Sequence, residues 1–123
     1  MAGVLYHVNA GDGLKLKGMH RKNSFFNTPK EAVSEAFALK ERLDLKYDHE
    51  IEWDYDGKFT GSVRKVKILK GYLHGDRKTD PFYLQILKVE AKKEELSVVA
   101  PKKPKKFTSK DQKVENKVMK LLK

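Results

Sequence analysis

The sequence predicts an α+β fold, in which one helix covers an antiparallel sheet of about five to six strands arranged as three hairpins. Residues 48–56 alternate acidic side chains with histidine, isoleucine, tryptophan and tyrosine, and a period of two is typical of a half-buried antiparallel strand. Residues 29–43 instead repeat apolar side chains at helical spacing, which indicates an amphipathic helix packed on one face of the sheet.

Composition restricts the class of protein. The chain has 123 residues, of which 39% are hydrophobic, so one domain with a modest core is expected. It contains no cysteine, which excludes disulfides, thiolate zinc sites and cysteine nucleophiles and is typical of a reducing compartment. No apolar run approaches the roughly 18 residues of a membrane span, and residues 1–5 do not resemble a signal peptide. We therefore expect an intracellular protein, cytoplasmic or, in a eukaryotic host, nuclear.

The N-terminal part predicts a first hairpin. Residues 4–8 are rich in β-forming side chains, 9–13 form a turn cluster, and 14–17 alternate again as a return strand. A loop is expected over 18–27, where basic residues precede two phenylalanines. Such a loop either anchors itself in the core through its rings or offers them to stacked bases.

The covering helix has a clear start. Thr28 provides the N-cap, Pro29 occupies the first helical position and Glu31 completes a capping box. The helix is expected to run to about Leu43, with Phe37 as the main anchor of its apolar stripe. It therefore separates the first hairpin from the central one.

The central hairpin is predicted over 48–64. A three-residue loop at 55–57 keeps the apolar side chains on one face, with Trp53 opposite Phe59 and His49 also on the buried side. A two-residue turn over the last two of those loop residues would mix the two faces, so the three-residue loop is preferred.

Two further strands, 65–73 and 82–90, predict a third antiparallel pair joined by a polar loop. The alternation changes phase after Val63, so a bulge or bend is expected at 64–65. The side chains expected to face the core are Val66, Ile68, Tyr72, Phe82, Leu84 and Ile86.

The organisation changes near the end of the last strand. We divide the chain into an α+β domain at 1–92, a charged and basic linker at 93–108 and an amphipathic helix at 109–123. The prolines and lysines within 101–106 exclude a helix interior there and indicate an extended linker. The final helix is too short to be stable alone in water, so it docks either on its own sheet or on a partner.

Charge is distributed unevenly along the chain. Residues 1–60 carry a net charge of −1 and residues 61–123 a net charge of +11. Such a basic half is typical of a protein that binds nucleic acid, although lysine-rich chains also gain solubility from the same composition. The cations expected to contact phosphates are Arg64, Lys65, Lys67, Arg77, Lys78, Lys102, Lys103, Lys105 and Lys106.

No catalytic constellation is recognisable in the sequence. The four histidines are isolated, and no serine lies in a nucleophile-elbow context. Glu50, Glu52 and Asp54 form a carboxylate row, but side chains two residues apart on a strand are about 7 Å apart and do not converge on one metal ion. We therefore expect no enzyme, no metal and no cofactor.

Two functions of different classes are compatible with these observations. The first is a non-enzymatic protein that binds nucleic acid or a nucleoprotein machine through the cations of its second half. The alternative is a protein–protein adaptor or inhibitor, such as a virus-encoded inhibitor of a host nucleic-acid enzyme. Its interface would be the acidic strand face or the C-terminal helix, with the contact residues Glu50, Glu52, Asp54, Val114, Val118, Leu121 and Leu122.

A capped helix, three strands and a lysine cluster before a final helix resemble the double-stranded RNA-binding domain. The resemblance implies that Lys102, Lys103, Lys105 and Lys106 would correspond to the lysines with which that family grips phosphates. The chain departs from that family in its additional N-terminal hairpin, in its long charged insert after the third strand and in lacking an alanine-rich final helix. No function is assigned from this resemblance.

Overall fold

The computed structural model describes residues 3–13, 17–19, 24–91 and 98–122. Within these ranges the chain forms β1 (Gly3–Asp12), β2 (Lys17–Met19), α1 (Pro29–Lys46), β3 (Ile51–Asp54), β4 (Thr60–Ser62), β5 (Lys65–Leu73), β6 (Phe82–Ala91) and α2 (Ser109–Leu122). Within the described ranges, neither helix is long and apolar enough to cross a membrane.

The strands form an antiparallel sheet with the order β2-β1-β6-β5-β3, and β4 pairs with β5 beside β3. The helix α1 lies across β1 and β6, and α2 lies against α1 and β5. Both helices share a core with the side chains of one sheet face, so they form a single layer on that face. The predicted α+β fold, with a covering helix and a C-terminal helix, is confirmed.

The helix α1 begins as the sequence predicts. The Thr28 hydroxyl accepts a hydrogen bond from the Glu31 backbone N–H at 3.1 Å and donates one to the Glu31 carboxylate at 3.1 Å. Phe37 is buried and anchors the helix in the core. The helix continues beyond the predicted end at Leu43 and finishes at Lys46, whose positive charge suits the negative end of the helix dipole.

The predicted central hairpin is wrong, because its two arms do not pair with each other. Both β3 and β4 pair with β5, and Trp53 lies opposite Gly71 while β4 occupies the other end of β5. The expected cross-strand pair of Trp53 and Phe59 is therefore replaced by pairing with β5. The middle hairpin joins β4 to β5, and its two-residue turn contains Val63 and Arg64.

Tertiary contacts explain why β3 starts late and pairs with β5. Asp48 and His49 have positive φ angles of 54° and 59° in the turn after α1, so the strand begins at Ile51 and His49 is exposed instead of buried. The Trp53 indole N–H donates to the Asp44 carboxylate in α1 at 2.8 Å. This bond holds β3 where the long edge of β5 can satisfy its backbone groups.

The change of phase in β5 occurs inside the strand. Its pairing with β6 shifts register between Lys67 and Leu69, and not at 64–65 as predicted. The shift turns Gly71 toward the core and Tyr72 to the opposite side, so the prediction that Tyr72 faces the core is wrong. The remaining predicted core side chains of the two strands are buried: Val66, Ile68, Phe82, Leu84 and Ile86.

The first hairpin turns later than predicted. The strand β1 continues through Asp12, so the predicted turn at 9–13 is wrong, and β2 supplies a return strand. The predicted return-strand residues 14–16 and loop residues 20–23 lie outside the described residues. In the described part of the loop, Phe26 is buried and pairs with β1, so this ring anchors the loop in the core.

The helix α2 docks on its own domain. Val114, Val118 and Leu122 are buried and join the core formed by α1 and the sheet. The helix is capped by Thr108, whose hydroxyl accepts from the Asp111 N–H at 3.2 Å, while the Thr108 N–H donates to the Asp111 carboxylate at 2.9 Å. Of the two docking alternatives that the sequence left open, docking on its own sheet is the one observed.

The basic segment before α2 is held on α1, and we call residues 101–106 the strap. It contains neither helix nor strand, and it runs beside the helix layer. Three of its backbone N–H groups donate to carboxylates of α1, Lys102 to Glu35 at 2.8 Å, Lys105 to Glu41 at 2.8 Å and Lys106 to Glu41 at 3.0 Å. Residues 92–97, where the predicted domain meets the predicted linker, lie outside the described residues.

Candidate nucleic-acid interface

We call the face of the sheet opposite the helices the outer face. On β6, the side chains that alternate with the core residues point to it: Tyr83, Gln85 and Leu87. In the described part of the chain, neither helix packs on this face. Gln85 is nevertheless only 4% exposed, so the accessible part of the outer face lies along β5 and not over the centre of the sheet.

Three lysines of β5 lie on the outer face. Lys65 pairs with Leu87, Lys67 with Gln85 and Lys70 with Tyr83. The register shift after Lys67 keeps Lys70 on this face, since simple alternation would have turned it to the core. Lys65 is exposed and the other two are half-buried. None of the three forms an ion pair with a carboxylate of the described residues.

Two tyrosines beside these lysines lie under cations. The Tyr83 ring lies across Gly11 of β1, where any side chain would collide with it, and the Lys67 ammonium is 4.4 Å from the ring centroid. The Arg77 guanidinium covers the Tyr72 ring at 4.7 Å. Flat rings combined with long, flexible cations are the groups with which proteins stack bases and hold phosphates.

The other predicted cations of this region lie at the two ends of β5. Arg64 lies in the turn before the strand, with its guanidinium 3.5 Å from the Glu90 carboxylate. Arg77 lies in the loop after the strand, 3.2 Å from the Asp54 carboxylate, and Lys78 is exposed in the same loop. Because solvent-exposed ion pairs contribute less than about 1 kcal/mol, both arginines can exchange a carboxylate for a phosphate at low cost.

The acidic row predicted as a protein interface borders the outer face. Glu52 and Asp54 point to this face from β3, where Asp54 lies opposite Lys70. Glu50 precedes the strand, and its carboxylate is 3.4 Å from the His74 imidazole. Glu50 and Asp54 therefore face basic side chains of their own chain, whereas Glu52 lies opposite Tyr72. The row limits the positive surface to β5 and the ends of that strand.

A cleft of about 520 Å³ continues from this region toward α2. Tyr72 and Arg77 line it on one side, and Lys110, Lys113 and Lys117 line it from α2. The carboxylates of β3 also reach it, so its charge is mixed. Sequence reasoning missed the three helix lysines, although their spacing of three and four residues marks one face of a helix.

Three residues of the outer face were also absent from the predicted site: Lys70, Tyr72 and Tyr83. The alternation of 82–90 places Tyr83 opposite the core side chains of that strand, so this residue could have been found from the sequence. Tyr72 and Lys70 could not, because the register shift that turns them outward depends on pairing between β5 and β6.

The strap lysines do not belong to this surface. The strap is bonded to α1, which lies on the opposite side of the sheet. The four side chains are exposed there: Lys102, Lys103, Lys105 and Lys106. The sequence placed these lysines and the β5 cations in one phosphate-binding set, but the fold separates the two groups by the thickness of the sheet.

The predicted interface residues of α2 are mostly inside the protein. Val114, Val118 and Leu122 are buried between α1 and the sheet, whereas Leu121 is 38% exposed. A partner could contact the three buried side chains only if α2 left the domain. On the surface, the predicted α2 interface is therefore reduced to Leu121.

Two tyrosines of the helix layer have raised pKa values. Burial, together with the hydrogen bond that its hydroxyl donates to Asp12 at 2.6 Å, raises the pKa of Tyr47 to about 12. Burial and the bond to Asp111 at 2.6 Å likewise raise the pKa of Tyr55. Both phenols stay protonated at neutral pH and connect elements of the fold. Among the described residues, no three histidine or carboxylate side chains converge where a metal ion could bind.

Comparisons with protein-family models, with curated proteins and with solved structures find no match to this chain. The assignment of a function therefore depends on the geometry and the charge of its surfaces.

Proposed function

We propose that the protein binds single-stranded nucleic acid along the outer face of β5 and catalyses no reaction on it. The observation that supports this proposal is the row of Lys65, Lys67 and Lys70, which project from one strand to one face without a described carboxylate partner. Cations that form no internal ion pair are available to phosphates, and they bind them without regard to sequence.

The spacing of these cations suits an extended strand of nucleic acid. The β6 partners of the three lysines are two residues apart, which corresponds to about 6.6 Å along a β-strand and is comparable to the distance between successive phosphates in an extended single strand. The bound strand would follow β5 from Arg64 at one end toward Arg77 and Lys78 at the other. The cleft that contains the α2 lysines lies at this second end.

A sheet face suits a single strand better than a duplex. A protein that reads duplex grooves needs an element that enters the groove, whereas a sheet offers its side chains to bases that lie flat on it. Tyr72 and Tyr83 supply rings for stacking. Lys67 and Arg77 now lie on these rings, and each would swing to a phosphate when a base takes its place.

A fluorescence-anisotropy titration with labelled single-stranded DNA, single-stranded RNA and duplex DNA, at about 50 and 200 mM salt, tests the proposal. We expect salt-dependent binding to single strands and weaker binding to the duplex. Replacing Lys65, Lys67 and Lys70 with Gln should lower the log–log salt slope by about 2, at about 0.7 for each phosphate contact on a single strand.

The strap provides a matched control for this variant. Replacing Lys102, Lys103 and Lys105 with Gln removes the same charge from the other side of the sheet, and it should preserve most of the affinity. Equal losses in the two variants would mean that only net charge matters. Unchanged binding after the replacement of Lys65, Lys67 and Lys70 would exclude the outer face as the nucleic-acid site.

The alternative function, a protein–protein adaptor or inhibitor, is tested by the same titration. If all three nucleic acids bind weakly and equally, the charge of β5 is not a nucleic-acid site. The α2 residues predicted for that interface are then poor candidates, because most of them are in the core.

A further inference from the structure

A groove of about 590 Å³ runs between the C-terminal half of α1 and the strap. Its walls are mainly apolar, and they include Phe37, Ala38, Leu45 and Tyr55. Leu45 is 67% exposed, more than any other large hydrophobic side chain of the described residues. The groove therefore offers apolar surface to a ligand, on the side of the sheet away from the proposed nucleic-acid site.

The carboxylates that line the groove already have partners. Glu41 accepts the backbone N–H groups of Lys105 and Lys106. The Asp44 carboxylate accepts from the Trp53 indole at 2.8 Å and from the Lys40 ammonium at 3.2 Å, and the Asp111 carboxylate accepts from the Tyr55 hydroxyl and the Thr108 N–H. The donors to these three acids are not the strap ammonium groups, and none of the acids forms an ion pair with a strap lysine.

The strap lysines give this apolar groove a positive rim. Lys102, Lys103, Lys105 and Lys106 all line it, and their side chains are exposed. None of their ammonium groups forms an ion pair with a carboxylate of the described residues. The strap is bonded to α1 through its backbone, so these four charges are presented beside the groove on a fixed support.

We infer that the groove binds an acidic, amphipathic segment of a protein partner. Its apolar side chains would pack against Leu45 and Ala38, and its carboxylates would pair with the strap lysines. A phosphate backbone would leave the apolar walls unused, so the groove favours a peptide over a nucleic acid. The N–H groups of Lys102, Lys105 and Lys106 are already bonded, so the segment docks by side chains, as a helix in a groove does, and adds no strand.

This site is independent of the proposed nucleic-acid surface, because the sheet lies between them. A protein with both sites would hold an acidic partner on its helix layer and a nucleic acid on its outer face at the same time. The two proposals can therefore fail separately.

Three labelled peptides of about 16 residues, long enough to form a helix on binding, test the inference with the full-length protein. The first carries leucine and phenylalanine at positions three and four apart, with glutamate elsewhere. The second keeps the apolar residues and replaces glutamate with lysine, and the third keeps glutamate and replaces the apolar residues with alanine. We expect the first peptide to bind about 10-fold or more tightly than either control, since both the apolar and the charged contacts are required.

Two variants locate the site. Leu45→Ser should lower the affinity for the first peptide by about 10-fold, because it removes the most exposed apolar contact. Replacing Lys102, Lys103 and Lys105 with Gln should weaken the binding of this peptide and flatten its salt dependence. Replacing Lys65, Lys67 and Lys70 with Gln is the matched control and should leave peptide affinity unchanged. Circular dichroism establishes that each variant is folded before its affinity is compared.

Three results would overturn the inference. The first is that the acidic amphipathic peptide binds no better than the two control peptides. The second is that its affinity is the same in the Leu45→Ser and strap variants as in the unmodified protein. The third is that single-stranded DNA displaces the peptide from the protein in which Lys65, Lys67 and Lys70 are replaced. That result would mean that the strap binds nucleic acid.

Discussion

β5 and the strap carry similar positive charge in different surroundings. The lysines of β5 are fixed by a backbone ladder and lie among tyrosines on a sheet face. The strap has no ladder, is bonded to Glu35 and Glu41 of α1, and borders an apolar groove. A run of lysines therefore does not define its ligand, because aromatic neighbours suit bases and apolar neighbours suit a peptide.

The largest expected effect on stability concerns α2, the helix that follows the strap. Val118 is fully buried, and Val118→Asp places an unpaired carboxylate in the core, which should cost about 3–5 kcal/mol of unfolding free energy. Urea unfolding followed by circular dichroism measures this loss. Leu121→Asp is the matched control at a position of the same helix that is 38% exposed, and it should cost about 1 kcal/mol, because its carboxylate reaches solvent and only part of the apolar surface is lost. Similar losses in both variants would contradict the docking of α2.

A smaller effect is expected at the first attachment of the strap. Glu35 is 2% exposed, and its carboxylate accepts the Lys102 N–H at 2.8 Å. Glu35→Ala leaves this donor without its partner, and a hydrogen bond to a charged group is worth about 1.5–3 kcal/mol. Urea unfolding should show a loss in this range together with weaker binding of the acidic amphipathic peptide. Unchanged peptide affinity would show that the attachment does not shape the groove.

A local effect is expected at the second attachment. Glu41 is more exposed than Glu35 and holds the strap through two N–H groups. Glu41→Ala should speed hydrogen exchange at Lys105 and Lys106 by about 10-fold or more, because their amides then lose their acceptor, and it should lower stability by only about 1 kcal/mol. Exchange along β5 should not change. If β5 amides exchanged faster as well, the strap and the sheet would open as one unit.

The last effect concerns Tyr47, at the end of the helix that carries the strap, and its signature is a dependence on alkaline pH. Its pKa of about 12 in the folded protein exceeds the ordinary value of 10. As pH rises the phenol ionises first in the unfolded chain, so the stabilisation is complete below pH 10 and is lost between pH 10 and 12. Tyr47→Phe should therefore flatten the alkaline decline of the unfolding free energy. An equally steep decline in the variant would assign it to other groups.

Much of the fold could be predicted because it depends on local periodicity and capping residues. The Thr28 cap fixes the start of α1, and the spacing of Val114, Val118 and Leu122 fixes the buried face of α2. The β5 and β6 strands were predicted almost at their observed bounds. Each of these features depends on residues within a few positions of one another.

Part of the candidate site could also be predicted. Lys65 and Lys67 were identified from charge and alternation, and both lie on the outer face. Lys70 and Tyr72 could not be placed, because the register shift that turns them outward arises from pairing with β6. The sequence also grouped the strap lysines with β5, since charge alone does not show on which side of a sheet a segment lies.

The sequence by itself determined the fold class, the two helices, the last two strands and the basic character of the second half. Only the tertiary structure decided that β3 pairs with β5, that α2 is part of the core and that the strap lies on α1. Periodicity and capping act over one or two turns of chain, so they can be recognised locally. The choice of partner depends instead on bonds between distant residues, such as Trp53 with Asp44 and Lys102 with Glu35, which form only when the whole chain has folded.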